Sequence, residues 1–241
     1  MILSNSRKEI KILAVVPARG GSKGIKLKNI KKLNGQPLIF YTADILKRIS
    51  IIDKTIVSSD NLKIINIAKK FGLEAPFVRP KEISGDNVHD IEVLQHSLKF
   101  CEKFYDSRFD IILMLQPTSP VRKKKMITDA IRKLVDKDLD AVWSISKIDP
   151  KFNPLKQLKV SDKNILKNFL KEGKFVINRQ MLDDTYIRTG QIYAIKRSLI
   201  KNGKMFSNKT GFVIEKGFFS NIDSVEDFKN AELYLKNNSN S

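Results

Sequence analysis

The sequence contains a single cysteine, Cys101, so no disulfide can form within one chain. No apolar run approaches the ~20 residues that are needed to cross a bilayer. Residues 1–11 also lack the apolar segment of a signal peptide. We therefore expect a cytoplasmic protein that folds without cross-links and does not bind a membrane.

Several familiar sites are missing as well. Neither G-x-x-x-x-G-K-[ST] nor G-x-G-x-x-G occurs, which disfavours a P-loop NTPase and a dinucleotide-binding Rossmann protein. The two histidines, His89 and His96, have no third metal ligand near them in the sequence. We expect them to be surface or capping residues, and we expect Cys101 to be a small buried apolar residue without chemistry.

The chain is strongly basic, with 45 Lys and Arg against 26 Asp and Glu and a formal charge of +19. Such an excess suggests a nucleic-acid binder as one hypothesis. However, basic runs such as residues 122–125 are short and have no interleaved aromatic side chains for base stacking. We expect a solvated basic surface that favours small anionic substrates, and no nucleic-acid partner.

Short apolar segments alternate with amphipathic helical patterns through the first ~147 residues, an order that is typical of βα units and a mostly parallel sheet. Strands are predicted at residues 12–16, 55–57, 74–78, 111–115 and 141–145, and helices at 38–49, 62–71, 89–104 and 126–134. Asp60 is the predicted cap of the second helix. The sequence thus predicts an α/β, Rossmann-like fold with helices flanking the sheet.

The alternation stops at residues 149–188, which contain prolines and short apolar pieces. We predict an extended arm or hairpin there, inserted into one α/β domain formed by residues 1–148 and 189–236; a disordered surface excursion is the alternative. Two more strands are predicted at residues 191–195 and 211–214, and a last helix begins after Ser224, with Asp227 completing a variant capping box. Residues 237–241 are predicted to be a disordered tail.

The segment that follows the first predicted strand is rich in glycine and basic residues. Its glycines let the backbone approach a polyanion, Ser22 adds a hydroxyl group, and Arg19, Lys23 and Lys28 can neutralise phosphate charge. A tight basic turn with solvated lysines is the alternative. Polar clusters also follow other predicted strands, at residues 58–60 and 116–122. Because ligands bind beyond the carboxyl ends of parallel strands, we favour a phosphate site.

Five ordered segments resemble the acylneuraminate cytidylyltransferases, the family of CMP-sialic acid and CMP-nonulosonic acid synthetases. They are residues 18–24 with 28–29, 57–60, 79–86, 115–122 and 222–223. The resemblance implies a nucleotide-diphospho-sugar transferase fold with an extended dimerisation arm at residues 149–188, and therefore a homodimer. It also implies that the enzyme activates a nonulosonic acid with CTP in the presence of Mg²⁺, giving the CMP-sugar and pyrophosphate.

The same resemblance assigns roles to individual residues. The catalytic pair is Arg19 and Lys28. The implied nucleotide-binding set is Arg19, Gly21, Ser22, Lys23, Lys28, Asn29, Arg79 and Asp86. The implied sugar-binding set is Gln116, Thr118, Ser119 and Arg188. Asp223 is the implied metal ligand, with Asn221 beside it.

Two departures from the family pattern keep alternatives open. The family usually has Asp-Ile-Asp where this chain has Asn221-Ile-Asp223, so one carboxylate is replaced by an amide. Many relatives have Asn-Gly-Ala-Ile-Tyr where this chain has Arg188-Thr-Gly-Gln-Ile-Tyr. The alternatives are a transferase for another acid sugar such as Kdo, and a non-catalytic relative that binds nucleotide or polyanion.

Overall fold

The computed structural model describes residues 9–21, 24–175 and 178–238. These residues form ten strands: β1 (Ile12–Pro17), β2 (Lys32–Leu33), β3 (Gln36–Pro37), β4 (Lys54–Ser58), β5 (Ile111–Met114), β6 (Ala141–Lys147), β7 (Leu158–Val160), β8 (Leu166–Asn168), β9 (Tyr186–Lys196) and β10 (Thr210–Ile214). They also form six α-helices: α1 (Leu38–Lys47), α2 (Leu62–Lys70), α3 (Asp90–Phe104), α4 (Lys124–Asp136), α5 (Arg197–Lys201) and α6 (Val225–Asn238).

The central sheet has six of the described strands, in the order β10-β6-β9-β5-β1-β4. Strand β1 pairs in parallel with β4 and β5, and β10 pairs in parallel with β6. Strand β9 lies between β5 and β6 and is antiparallel to both. The predicted mostly parallel α/β sheet is confirmed.

Helices cover both faces of this sheet, because successive strand residues point to opposite sides. Ile12 and Val16 of β1 lie in one apolar cluster, together with side chains of α1, α2 and α4. Leu13 and Val15 lie in the opposite cluster with side chains of α3 and α5. The sheet is therefore the middle layer of three, and the carboxyl ends of its parallel strands lie at one edge.

Helix caps were predicted correctly in one case and wrongly in another. At α6 the Ser224 hydroxyl accepts a hydrogen bond from the Asp227 N–H at 3.1 Å, and the Asp227 carboxylate accepts from the Ser224 N–H at 2.8 Å. At α2 the cap is Asn61, which accepts from the N–H groups of Lys63 and Ile64, rather than the predicted Asp60. The Asp60 carboxylate instead accepts from the N–H of Gly20 at 2.9 Å, so it is used to hold a loop.

The strand predicted at residues 74–78 does not form. Only an isolated parallel bridge joins Glu74 to Ile56. Pro76 has no N–H to donate to a ladder, which explains why the pairing stops after one residue. Four of the five strands predicted before residue 148 are therefore present, namely β1, β4, β5 and β6.

Residues 150–185, called the hairpin segment below, lie between β6 and β9. Strands β7 and β8 pair as a short antiparallel hairpin, with Leu158 opposite Asn168 and Val160 opposite Leu166. The last residues of the predicted arm belong to the central sheet, since Tyr186 of β9 pairs with Lys147 of β6. Within the described residues, no helix is both long enough and apolar enough to cross a membrane.

Candidate active site

A cavity of about 540 Å³ lies at the edge of the sheet where β1 and β5 end. Its lining comes from the loop after β1, the segment before α3 and the first turn of α3, the loop after β5 and the segment before α6. Nine of the residues predicted for the site line it: Arg19, Lys28, Asn29, Arg79, Asp86, Gln116, Thr118, Asn221 and Asp223.

The loop after β1 is tied to the loop after β4 and to itself. The Ala18 N–H donates to the Ser58 carbonyl at 2.9 Å, and the Asp60 carboxylate holds the Gly20 N–H. The Asn29 side chain is buried and donates to the Arg19 carbonyl at 3.0 Å. These bonds fix the backbone of Arg19, so its guanidinium is presented to the cavity.

Lys28 joins this loop to the end of the chain. Its ammonium donates to the Ile222 carbonyl at 2.6 Å and to Asp223 Oδ1 at 2.9 Å. A Cβ atom on Gly24 would lie 2.5 Å from the backbone oxygen of Asp223, so only glycine allows this close approach. These contacts bring Asp223, which is 195 positions from Lys28 in the sequence, into the site.

Two cations of the cavity hold partly exposed carboxylates. Arg19 Nη1 lies 2.7 Å from Asp86 Oδ1, and the Asp223 side chain, paired with Lys28, is 72% exposed. Ion pairs that remain in contact with water are weak, contributing about 0–1 kcal/mol. Neither carboxylate therefore holds its cation strongly, and both cations remain able to interact with a further anion in the cavity.

Arg79 is the third cation of the cavity and is 4% exposed. Its N–H donates to the Ser59 carbonyl at 2.8 Å, while Nε and Nη2 of its side chain have no hydrogen-bond partner among the described residues. Burial lowers the pKa of Arg79, and the carboxylates of Asp60 and Asp90 act in the opposite direction. A buried guanidinium with unused donors suits a ligand that carries acceptor atoms.

Arg122 holds the loop after β5 through hydrogen bonds from a buried position. Its buried guanidinium donates to the Gln191 carbonyl at 2.6 Å, to the Thr42 hydroxyl at 3.2 Å and to the Gln116 carbonyl at 2.7 Å. Burial lowers the pKa of Arg122 to about 9. The sequence placed Arg122 in a family segment but gave it no role; its part is to hold the backbone of Gln116 and of β9.

Asp90 lines the cavity, although the sequence did not single it out. It is the first residue of α3, where the helix dipole stabilises an acidic side chain. Asp90 Oδ2 accepts from Gln116 Nε2 at 3.3 Å. Burial raises the pKa of Asp90, while the charges of Arg79 and Arg188 oppose that shift.

The remaining predicted residues are placed differently. Gly21 borders a shallow groove beside Arg19, outside the main cavity. Ser22 and Lys23 lie outside the described residues. Ser119 is fully buried and does not line the cavity. The exposed Arg188 also stays outside the lining, and its guanidinium lies 5.5 Å from the centre of the Trp143 ring.

Oxygen ligands for a metal are few. Among the described residues, no group of three or more His, Cys, Asp or Glu side chains could hold a metal ion. Asp223 and Asn221 both line the cavity and both carry side-chain oxygens. Any metal ion here would have to take most of its ligands from a bound substrate and from water.

The family model described as "Cytidylyltransferase" matches residues 13–239. The chain belongs to the cytidylyltransferase family. This confirms the resemblance seen in the sequence and makes the protein a nucleotidyltransferase.

Two relatives of this cytidylyltransferase come from Campylobacter jejuni. A pseudaminic acid cytidylyltransferase is 27% identical over 95% of this chain and 98% of its own length. A CMP-N,N'-diacetyllegionaminic acid synthase is 31% identical over 93% of this chain and 94% of its own length. Among solved structures, a CMP:2-keto-3-deoxy-manno-octonic acid synthetase complexed with CTP has a TM-score of 0.70, with 15% identity over 94% of this chain and 99% of its own. At that identity the likeness shows the fold alone, which agrees with the predicted nucleotidyltransferase type.

Proposed function

We propose that this cytidylyltransferase activates a nonulosonic acid with CTP, producing the CMP-sugar and pyrophosphate. The observation that carries the proposal is the convergence of Arg19, Lys28 and Arg79 with Gln116 in one cavity. The near full-length similarity to relatives named for pseudaminic and legionaminic acid supports this substrate class. The basic charge of the chain also favours two acidic substrates.

In this reaction the anomeric hydroxyl oxygen of the sugar attacks the α-phosphorus of CTP. The bond from that phosphorus to the bridging oxygen of the β-phosphate breaks, the hydroxyl loses its proton, and pyrophosphate leaves. Arg19 and Lys28 both line the cavity, and in this proposal they hold the charge that develops on the leaving pyrophosphate. Fixed cations at such a position stabilise the transition state more than the ground state.

Lys28 reaches this position because Asp223 and the Ile222 carbonyl hold its ammonium. The bonds leave at least one ammonium proton for a phosphate oxygen. Arg79 would fix the nucleotide through its unused donors, and Asn29 keeps the loop in shape. Gln116 and Thr118 would bind the sugar from the end of β5, with Arg188 at the border of that region.

Mg²⁺ fits this site as an ion carried mainly by the triphosphate. Asp223 supplies one carboxylate, and the Asn221 carbonyl can hold a metal-bound water. The bound ion would neutralise phosphate charge and orient the oxygens of the α-phosphate and its neighbours. With one carboxylate in place of two, we expect weaker metal binding than in relatives that carry Asp at both positions.

A homodimer in which the hairpin segment packs on a partner is part of the proposal. Large apolar side chains of the segment, including Leu158, Leu166 and Phe175, are exposed in the single chain. Exposed apolar surface of this kind marks interaction sites. The segment is continuous with β9 of the central sheet, which begins at Tyr186.

The test is an assay of pyrophosphate release with CTP, Mg²⁺ and a panel of acid sugars. The panel contains pseudaminic acid, N,N'-diacetyllegionaminic acid, N-acetylneuraminic acid and Kdo. We expect turnover with at least one of the three nine-carbon acids. Turnover with Kdo alone would support the alternative substrate, and no turnover with any sugar by a folded protein would contradict the proposal.

The amide at Asn221 and the charge of +19 left a non-catalytic polyanion binder as an alternative, and membership of the cytidylyltransferase family disfavours it. Thermal unfolding separates the two functions. If the protein is the proposed enzyme, CTP with Mg²⁺ should raise Tm more than inorganic tripolyphosphate at the same concentration. An equal rise with both ligands, independent of Mg²⁺, would favour the polyanion binder.

A further inference from the structure

Of the described residues that line the cavity, three carry carboxylates: Asp86, Asp90 and Asp223. Two of them hold cations, since Asp86 pairs with Arg19 at 2.7 Å and Asp223 pairs with Lys28 at 2.9 Å. Asp90 is different. Its hydrogen bond to the Gln116 amide is 3.3 Å long, and no cation among the described residues lies within ion-pair distance of it.

A carboxylate in this place needs an explanation, because the proposed substrates are both anions. Two like charges brought together in a partly buried site repel each other. Burial itself also disfavours the charged form of Asp90, whose pKa is raised. The free-energy cost of removing a carboxylate from water is offset only when hydrogen-bond donors satisfy its oxygens. The single long hydrogen bond from Gln116 leaves acceptor capacity that faces the cavity.

Other residues restrict where Asp90 can act. Asp90 contacts Gln116, which the proposed function assigns to the sugar rather than to the phosphates that Arg19 and Lys28 would hold. An uncharged N–H or O–H group there would supply the donor that Asp90 lacks.

We infer that Asp90 is a specificity-determining residue that accepts a hydrogen bond from an uncharged N–H or O–H group of a bound substrate. Two sources have this chemistry: the exocyclic amine of cytosine, and a hydroxyl or acylamino N–H of the sugar acid. A substrate with an acceptor or an anionic group at the same position would be rejected. The inference rests on the proposed function, for which it names a recognition contact.

The experiment compares the wild type with Asp90→Ala, which removes both acceptor oxygens, and Asp90→Asn, which keeps one. The KM values for CTP and for the accepted sugar are measured separately, together with the ratio of CTP to UTP use. Loss of a hydrogen bond to a charged group should raise the KM of the contacted substrate by about tenfold or more in Asp90→Ala. Asp90→Asn, which keeps one acceptor oxygen, should raise the same KM by a smaller factor.

The two sources give different results, each of which supports the inference. If cytosine is the donor, the KM for CTP rises and the preference for CTP over UTP falls, while the KM for the sugar is unchanged. If the sugar is the donor, only its KM rises. Unchanged KM values, a fall in kcat alone, or an equal rise in both KM values would overturn the inference, because these results point to a positioning effect on Arg79 or Gln116.

Glu92→Ala is the matched control. Glu92 lies in the same first turn of α3, carries the same charge, and bonds the backbone N–H of His89 outside the cavity. The Glu92→Ala variant should change thermal stability without changing either KM.

Titration calorimetry of CTP and UTP on wild type and Asp90→Ala needs no turnover, so it remains informative if the wild type proves inactive across the sugar panel. Wild-type inactivity would count against the proposed function, whereas an active wild type with an indistinguishable Asp90→Ala variant would count against the inference.

Discussion

The central sheet and the hairpin segment use apolar residues in similar short strands, yet they bury them very differently. Leu13 of β1 and Ile112 of β5 are fully buried, whereas Leu158, Val160 and Leu166 of the hairpin are 56%, 66% and 64% exposed. The sheet has a helical layer on each face. The hairpin has only two strands, and no other element among the described residues covers its apolar side chains. An isolated two-stranded hairpin is marginally stable in water.

The two regions also differ in chemistry. All of the described residues that line the cavity lie outside the hairpin segment. The sheet region therefore carries both the core and the cations, and the proposed role of the hairpin is assembly. Each of the following substitutions tests that division.

The largest effect is expected for Arg19→Ala. The loss of one fixed cation on developing phosphate charge should lower kcat by about 100- to 1,000-fold. The fold should survive, because the Arg19 side chain is partly exposed and its loop is held by backbone bonds. Pyrophosphate release and circular dichroism measure the two quantities.

Lys167→Ala is the control in the hairpin, where it also removes an exposed cation. Its activity should stay near that of the wild type. Near-normal turnover of Arg19→Ala would contradict the role assigned to Arg19. An equal loss in both variants would indicate that general positive charge, rather than the cavity, supports activity.

A matched pair of core and hairpin substitutions should differ strongly in stability. Ile112→Ala removes a fully buried side chain and should lower the free energy of unfolding by about 3 kcal/mol. Leu166→Ala acts on an exposed side chain and should change the single chain by less than about 0.5 kcal/mol. Urea unfolding at low protein concentration measures both, and similar losses would show that the hairpin is buried in the dilute protein.

The double variant Leu158→Lys, Leu166→Lys should weaken self-association. If this surface packs on a partner, two buried charges should raise the dimer dissociation constant by about tenfold or more. Sedimentation velocity over a range of concentrations follows the change. A wild-type protein that is monomeric throughout, or a double variant that associates equally well, would remove the hairpin from the interface.

A smaller effect is expected for Asn221→Asp. A second carboxylate beside Asp223 should lower the Mg²⁺ concentration for half-maximal activity by several-fold, about 1 kcal/mol in binding. Asn202→Asp makes the same charge change at the end of α5 and should leave the titration unchanged. If Asn221→Asp also leaves it unchanged, then residue 221 takes no part in metal binding.

Local signals predicted local structure well. Ser224 and Asp227 satisfy each other's backbone groups within four residues, so their capping arrangement is readable from the sequence. The choice between Asp60 and Asn61 was not readable. Both can cap α2, and the Gly20 N–H, 40 positions away, takes the Asp60 carboxylate. The predicted strand at residues 74–78 failed for a local reason, since Pro76 limits its pairing.

The predicted site residues show the same division. Arg19 and Gln116 follow the ends of the parallel strands β1 and β5, and parallel topology brings strand ends together, so their convergence was predictable. Arg79 follows no strand, and its N–H is held by the Ser59 carbonyl after β4 instead. Asp90 was missed because its position at a helix start has an ordinary explanation. Its place in the cavity depends on how α3 packs against β5.

The sequence by itself determined the alternation of strands and helices, the basic glycine loop and the family, because periodicity, turn chemistry and ordered segments are local properties. Only the tertiary structure decided which carboxylates have cations. Lys28 holds Asp223 and Arg19 holds Asp86, but Asp90 has the Gln116 amide as its partner. Such pairings join residues far apart in the chain, and no pattern of neighbouring residues specifies them.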